Sequence, residues 1–327
     1  MSQGILVVAL PQRGALAPVT YELLSAGRAM ADALKQPLCA VVVGGSAATA
    51  QDLVDRGAEK VFLLDNPALA NFNDELAAKA VSELAAKEGV TRLLIAATVA
   101  GRSLAARLAV KLKAGLAAEV SEIDAAAGKV KRSTYCGNLM AEVELKSAVQ
   151  VLTVAPMSFP RAEKQGARSG QIVPVAFDAS GAKMEFVSFQ AEESNEIDLG
   201  AAERIVAGGR GLGSAEGFKL IRDFAQNIGA AVGASRAVVD SGWIAYRHQV
   251  GLTGRAVRPK LYVACGISGQ IQHLAGMSSA GNIVAINTDA ECPMMQVASI
   301  SVVGDLNELI PLIVEEIKKR KGAPVAA

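Results

Sequence analysis

Short apolar runs alternating with helical patterns constrain the fold of this 327-residue chain more than any other feature. Residues 5–10, 39–43, 61–64 and 93–97 are almost wholly Val, Ile, Leu, Phe and Ala. They read as strands buried on both faces. Residues 20–35, 74–88 and 101–116, between and after them, carry helical spacing. A strand that is apolar on both faces needs a cover on each, and the intervening helices supply it. Strand–helix alternation at this spacing therefore predicts a parallel sheet with right-handed crossovers.

The composition agrees, at 51% hydrophobic and only 4% aromatic. That mixture suits parallel strands packed on Ala-rich helices, and the length suggests two domains. A net charge of +1 gives no sign of general affinity for nucleic acid or an acidic membrane. The cysteines at 39, 136, 265 and 292 form no C-x-x-C pair. They read as buried thiols in a reducing compartment, with a distant cluster as the alternative. No apolar run approaches the roughly 18 residues of a membrane span. Met1-Ser2-Gln3-Gly4 lacks the charged start of a signal peptide, so a cytoplasmic location is expected.

The pattern changes over residues 123–189. Segments 129–134, 140–146, 149–155 and 183–189 have strand character, several with charges on alternate positions. These read as antiparallel strands or an edge extension of the first domain. Residues 190–198 are acidic and nearly free of apolar side chains, the best linker in the chain. The expected organisation is an N-terminal α/β domain (1–190), a linker (191–200) and a second α/β domain (201–327). Within the second domain, strands are expected at 204–207, 230–232, 261–264, 283–286 and 299–303. Helices are expected at 215–228 and 271–274. An amphipathic helix over 310–319 closes the chain, with Pro311 in its first turn. The basic Lys318-Lys319-Arg320-Lys321 suits the negative end of that helix.

Most of the candidate chemistry lies in the second domain. An apolar strand ending at Ala264 runs into Cys265-Gly266-Ile267-Ser268-Gly269-Gln270-Ile271-Gln272-His273-Leu274-Ala275-Gly276-Met277. A strand, a small-residue turn and a helix start in that order present free backbone N–H groups to an anion. His273 is one of only two histidines. Gly208-Gly209-Arg210-Gly211-Leu212-Gly213 also comes after a strand, but it matches neither the Rossmann nor the P-loop fingerprint. It is a flexible turn or an anion loop, with Arg210 favouring the anion. Gly233-Ala234-Ser235-Arg236 sets a hydroxyl beside a guanidinium, and Arg247 to Arg255 forms a polar, glycine-rich loop, either a surface hairpin or a binding loop. Residues 201–260 hold nine Lys and Arg against four Asp and Glu, which suits a ligand with several negative charges. Hydrolase and zinc readings are weak. Gly266-Ile267-Ser268-Gly269 is one residue short of G-x-S-x-G, and His273 has no spaced partner for a metal.

Together these segments resemble the α subunit of electron transfer flavoproteins. The likeness rests on Gly209-Arg210-Gly211, on Val232 to Arg236, on Gln249-Val250-Gly251-Leu252-Thr253-Gly254, on Gly266 to Met277 and on Val284-Ala285-Ile286-Asn287. The N-terminal half is similar through Gly101-Arg102-Ser103-Leu104-Ala105 and Tyr135-Cys136-Gly137-Asn138. The resemblance implies a doubly wound C-terminal domain that carries FAD. It also implies a β subunit that completes a heterodimer, and transfer of electrons between flavoprotein dehydrogenases and an acceptor. Arg210, Ser235, Asn287 and Asp305 would line the FAD site, as would Gln249, Val250, Gly251, Leu252 and Thr253. Ser268, Gly269, Gln270, Ile271, Gln272 and His273 would complete it. Arg236 and His273 would lie near the isoalloxazine ring, and Thr253 would offer its hydroxyl near the reactive edge. Leu252 stands where many members have glutamine, and Gln270 where alanine is commoner. The segment 247–255 is also similar to members that bifurcate electrons, which need a second flavin in the β subunit. The alternatives are an NAD-dependent enzyme using His273 as acid–base, and a nucleotide-sensing module in residues 1–190.

Overall fold

The computed structural model describes residues 4–11, 14–135, 139–166, 170–188, 190 and 196–322. The chain divides into two compact units. One comprises residues 1–133 and 140–191, and the other residues 134–139 and 192–327. Most of the expected acidic linker, residues 191–195, lies outside the described residues, as do Cys136, Gly137 and Asn138.

In the first unit β1 (Ile5–Ala9), α1 (Pro18–Leu34), β2 (Leu38–Val43), α2 (Ala47–Asp55) and β3 (Lys60–Leu64) come in order. Next are α3 (Asp74–Glu88), β4 (Arg92–Ala96), α4 (Val99–Lys111) and β5 (Gly115–Asp124). Then β6 (Lys129–Thr134), β7 (Leu139–Glu144), β8 (Gln150–Val154) and β9 (Gln171–Pro174) complete a nine-stranded sheet of order β7-β6-β5-β8-β4-β1-β2-β3-β9. The run at 74–88 shows why its helix has the expected bounds. The Asn73 side chain accepts from the Glu75 and Leu76 N–H groups, Asp74 and Glu75 fill the acidic first turn, and Gly89 ends it at φ 69°. All five residues of β1 are buried, with Val7 packed in one core and Leu6 and Val8 in the other. Burying each such side chain contributes about 1.5–3 kcal/mol.

Several expectations are corrected here. The run at 149–155 is no edge strand: β8 lies inside the sheet, parallel to both β4 and β5. The antiparallel pairing is that of β5 with β6, and β7 extends the sheet beyond β6. The helix expected to reach 116 stops at Lys111, and Gly115 opens β5. Residues 183–188 form no strand, and residue 189 is outside the described residues. The far edge is instead β9, parallel to β3. Helix α2, capped by Ser46 accepting from Thr49 N–H, was not foreseen.

In the second unit β10 (Arg204–Gly208), α5 (Phe218–Ile228), β11 (Ala231–Ala234), α6 (Arg236–Asp240) and β12 (Leu261–Cys265) lead to α7 (Ile271–Met277). Beyond them lie β13 (Asn282–Asn287), α8 (Pro293–Val297), β14 (Ile300–Val303) and α9 (Leu306–Gly322). The five-stranded sheet has the order β11-β10-β12-β13-β14, parallel throughout. Side chains alternate between two cores. Val206 and Val263 meet Phe218, Ile221 and Ile310 on one face, while Ile205 and Tyr262 meet Met277 and Met294 on the other. The sheet is thus doubly wound, with helices on both faces. Helix α9 begins at Leu306, earlier than expected, so Pro311 lies inside it rather than in its first turn.

Candidate functional site

Strand order decides where a ligand can enter the second unit. From β10 the chain moves outward to β11, then returns to β12 on the other side and continues the opposite way. The loops leaving β10 and β12 therefore diverge, and a crevice opens at the carboxyl ends of those strands. The structure holds a crevice of about 540 Å³ there, lined by residues beyond the ends of β10, β11, β12 and β13.

Glycines let the two central loops close on each other. A Cβ at Gly211 would lie 2.7 Å from the Gly266 Cα, and the Gly211 N–H donates to the Gly266 carbonyl at 3.1 Å. The Gly208–Gly213 turn is therefore a close-packing device as well as a loop that carries Arg210. Gly269 adopts φ +83° against the Met294 backbone, where a Cβ would come within 2.3 Å. The backbone N–H groups of Ser268, Gly269 and Gln270 find no protein acceptor among the described residues. Because α7 has only seven residues, these loop donors dominate over its helix dipole.

The charged groups are unevenly committed. Arg210 lines the crevice, is exposed, and has no ion-pair partner among the described residues. Arg236 also lines it, but its Nε donates to Asp240 Oδ2 at 3.1 Å, and both side chains are about 60% exposed. The expected fixed cation thus carries a counter-ion that the sequence did not announce. Much of the basic excess over 201–260 is answered likewise: Glu196 meets Arg222 and His248, and Asp198 meets Arg255 at 2.6 Å.

The remaining side chains are tightly held. Gln249, buried, donates from Nε2 to Thr253 Oγ1 at 3.0 Å, leaving the threonine O–H free to donate. Asn287 Nδ2 braces the crevice wall through the Ile267 carbonyl at 3.1 Å and Cys292 Sγ at 3.3 Å. His273 is 6% exposed, and its Nε2 lies 2.9 Å from the Tyr262 hydroxyl. Its Nδ1 makes no well-formed hydrogen bond. Burial pulls the imidazole pKa from 6.5 to about 4, only partly offset by the Val250 backbone, so the ring is neutral at pH 7.

The crevice gathers thirteen of the sixteen residues expected at the site. Leu252, Ile271 and Asp305 do not line it. Leu252 and Ile271 are 59% and 62% exposed, and Asp305 Oδ1 accepts from the Asn307 N–H at 2.8 Å at the start of α9.

Residues 5–180 match the family described as "Electron transfer flavoprotein domain", and residues 198–278 match "Electron transfer flavoprotein FAD-binding domain". The chain is 42% identical to an electron transfer flavoprotein subunit alpha of Thermoanaerobacterium thermosaccharolyticum, covering 98% of this chain and 99% of that one. It is 38% identical to a subunit alpha of Megasphaera elsdenii, covering 98% of each chain. It is 36% identical to the protein FixB of Clostridium saccharobutylicum, covering 97% of each. The chain belongs to the electron transfer flavoprotein α-subunit family. The segment that matches the family's FAD-binding domain, residues 198–278, lies within the second unit.

The crevice of this family member suits such a cofactor on its own observations. N–H groups unengaged and an Arg210 unpaired among the described residues, with a cradle too narrow for any Cβ, fit a pyrophosphate. His273 lines the crevice as a neutral ring whose two nitrogens are buried, which adds no charge to that wall. Gly211, Ala237, Asp240, Gly266, Ile267, Asp289 and Cys292 also line the crevice and were not foreseen. Asp289 and Cys292 could have been found from their place in the loop leaving the carboxyl end of β13, next to the switch point. No helix among the described residues is long and apolar enough to cross a membrane.

Proposed function

We propose that this chain holds FAD in the crevice between the β10 and β12 loops and, paired with a β-type subunit, carries electrons between flavoprotein dehydrogenases and an acceptor. The observation that carries the reading is the convergence at one switch point of the free Ser268–Gln270 N–H groups, Arg210 and the buried His273. Bound FAD supplies a ring that takes up and releases electrons and gains negative charge on reduction.

The chain's own residues then have separable tasks. Ser268, Gly269 and Arg210 bind the diphosphate, with Gly211 and Gly266 keeping the backbones close enough to reach it. Gln249 orients the Thr253 hydroxyl as a donor towards the ring. His273, neutral and buried, contributes a ring dipole without a competing charge, and Arg236 adds a cation moderated by Asp240. Nothing in this set looks like acid–base machinery. A histidine with a pKa of about 4 is a poor general base at pH 7, which counts against the NAD-dependent enzyme reading.

The test is anaerobic reduction of the co-purified heterodimer by a partner flavoprotein dehydrogenase, monitored in the flavin absorption bands. Reduction by the dehydrogenase and reoxidation by an acceptor, with no turnover of small substrates by the heterodimer alone, is the expected result. Direct oxidation of a small substrate would overturn the carrier reading. One FAD per heterodimer supports a simple carrier, and two support the bifurcating variant. Full electron transfer by the isolated chain would refute the need for the β-type subunit.

A further inference from the structure

Tyr262 sits in β12, 0% exposed, and its hydroxyl has one partner among the described residues, His273 Nε2 at 2.9 Å. The rings meet edge to face with centroids 6.1 Å apart. One hydrogen has to be shared across this contact. If Nε2–H donated to the phenol oxygen, the phenol O–H would be buried with no acceptor. Nδ1 would then be an unprotonated nitrogen turned towards the Val250 backbone. An imidazolium would leave the same phenol O–H unpaired. If the phenol donates instead, Nε2 accepts, Nδ1 carries the proton, and Tyr262 is satisfied. An unsatisfied buried donor is costly, so the third arrangement prevails.

We propose that Tyr262 is a positioning residue that fixes His273 as its neutral Nδ1–H tautomer, so that the N–H dipole is turned towards Val250 in the crevice wall. Nδ1 is itself buried, the Val250 backbone is the group that interacts with the ring, and Val250 lines the same crevice. The Nδ1–H is therefore held against the crevice wall from behind rather than meeting a ligand directly. The consequence for the ligand rests on the FAD reading, in which the positive end of that dipole, close behind the wall, favours the extra negative charge of the reduced ring. The tautomer itself does not depend on that reading. Burial of the imidazole supports the neutral state independently.

The experiment is ¹⁵N NMR of the histidine-labelled heterodimer. The His273 signals are assigned by their loss in His273→Gln. This chain has only two histidines, which limits the overlap. The wild type is expected to show a protonated Nδ1 and an unprotonated Nε2 between pH 8 and 6. Tyr262→Phe is expected to retain FAD and move the ring towards Nε2–H. It should also lower the reduced-to-oxidised flavin ratio at fixed potential by about tenfold, about 59 mV for one electron. A wild-type Nε2–H tautomer overturns the proposal, as does a Phe variant with unchanged tautomer and potential. A switched tautomer with an unmoved potential overturns its consequence for the ligand. Absence of FAD from the wild-type complex contradicts the cofactor reading instead, and the same spectrum still decides the tautomer. The wild-type spectrum also decides it if the Phe variant does not accumulate.

Discussion

Acid should destabilise this protein through His273, and replacing the residue should remove that sensitivity. Burial holds the folded-state pKa near 4, against 6.5 for an ordinary histidine. A base with a lowered folded-state pKa takes up protons on unfolding. Its contribution is intact above pH 6.5 and is lost as the pH falls towards 4. Over the whole window the loss is about 3 kcal/mol at 1.36 kcal/mol per unit. Between pH 7 and pH 5 the same linkage gives about 2 kcal/mol. The assay is urea unfolding of the holo-heterodimer at both pH values, for wild type and His273→Gln. Glu22, whose carboxyl pKa is raised first by burial, titrates in both proteins and cancels in the comparison. The wild type should lose about 2 kcal/mol more than the variant on going to pH 5. Losses that agree within about 0.5 kcal/mol, the usual error of additivity, would refute the assignment of a buried neutral imidazole.

Other substitutions separate the site from the scaffold. Asp240→Asn should free Arg236 and raise the flavin midpoint potential in a spectroelectrochemical titration. The shift should be on the order of 10–40 mV, because exposed ion pairs contribute up to about 1 kcal/mol. An unchanged potential would remove Arg236 from the tuning set. Asp305→Ala should cost about 1 kcal/mol as a lost cap at the start of α9 and leave FAD affinity unchanged. A weakened affinity by fluorescence titration would return Asp305 to the cofactor site. Gly101→Ala should destabilise the first unit by about 1–3 kcal/mol or more, since its Cβ would fall 1.9 Å from the Ala96 carbonyl oxygen. FAD per folded heterodimer should not change, and a loss of FAD would revive a nucleotide site in residues 1–190.

Elements set by local chemistry were legible in the sequence. The buried runs at 5–10, 39–43, 61–64 and 93–97 all became strands, and the caps at Asn73 and Gly89 fixed α3. Decisions that depend on distant pairing were not. β8 sits parallel between β4 and β5, yet its residues come after two strands with alternating charges and invite a hairpin. β9 is four residues, none of them buried, that join the sheet by pairing with β3. The candidate crevice was legible because its loops are contiguous motifs at strand ends. Asp240 was not, since its pairing with Arg236 requires the short α6 just after β11. The partnership of Tyr262 with His273 spans eleven residues and two elements, and no spacing rule announces it.

The central claim is that the β10–β12 crevice holds the flavin. Ser268 is exposed in that crevice, so Ser268→Trp can fill it without entering either core. The decisive measurement is FAD content, from the visible flavin bands of the heterodimer, for wild type and this variant. The expected result is flavin in the wild type and, in a variant with native circular dichroism, loss of one FAD per heterodimer. An equal flavin content in both proteins would contradict the assignment of this crevice.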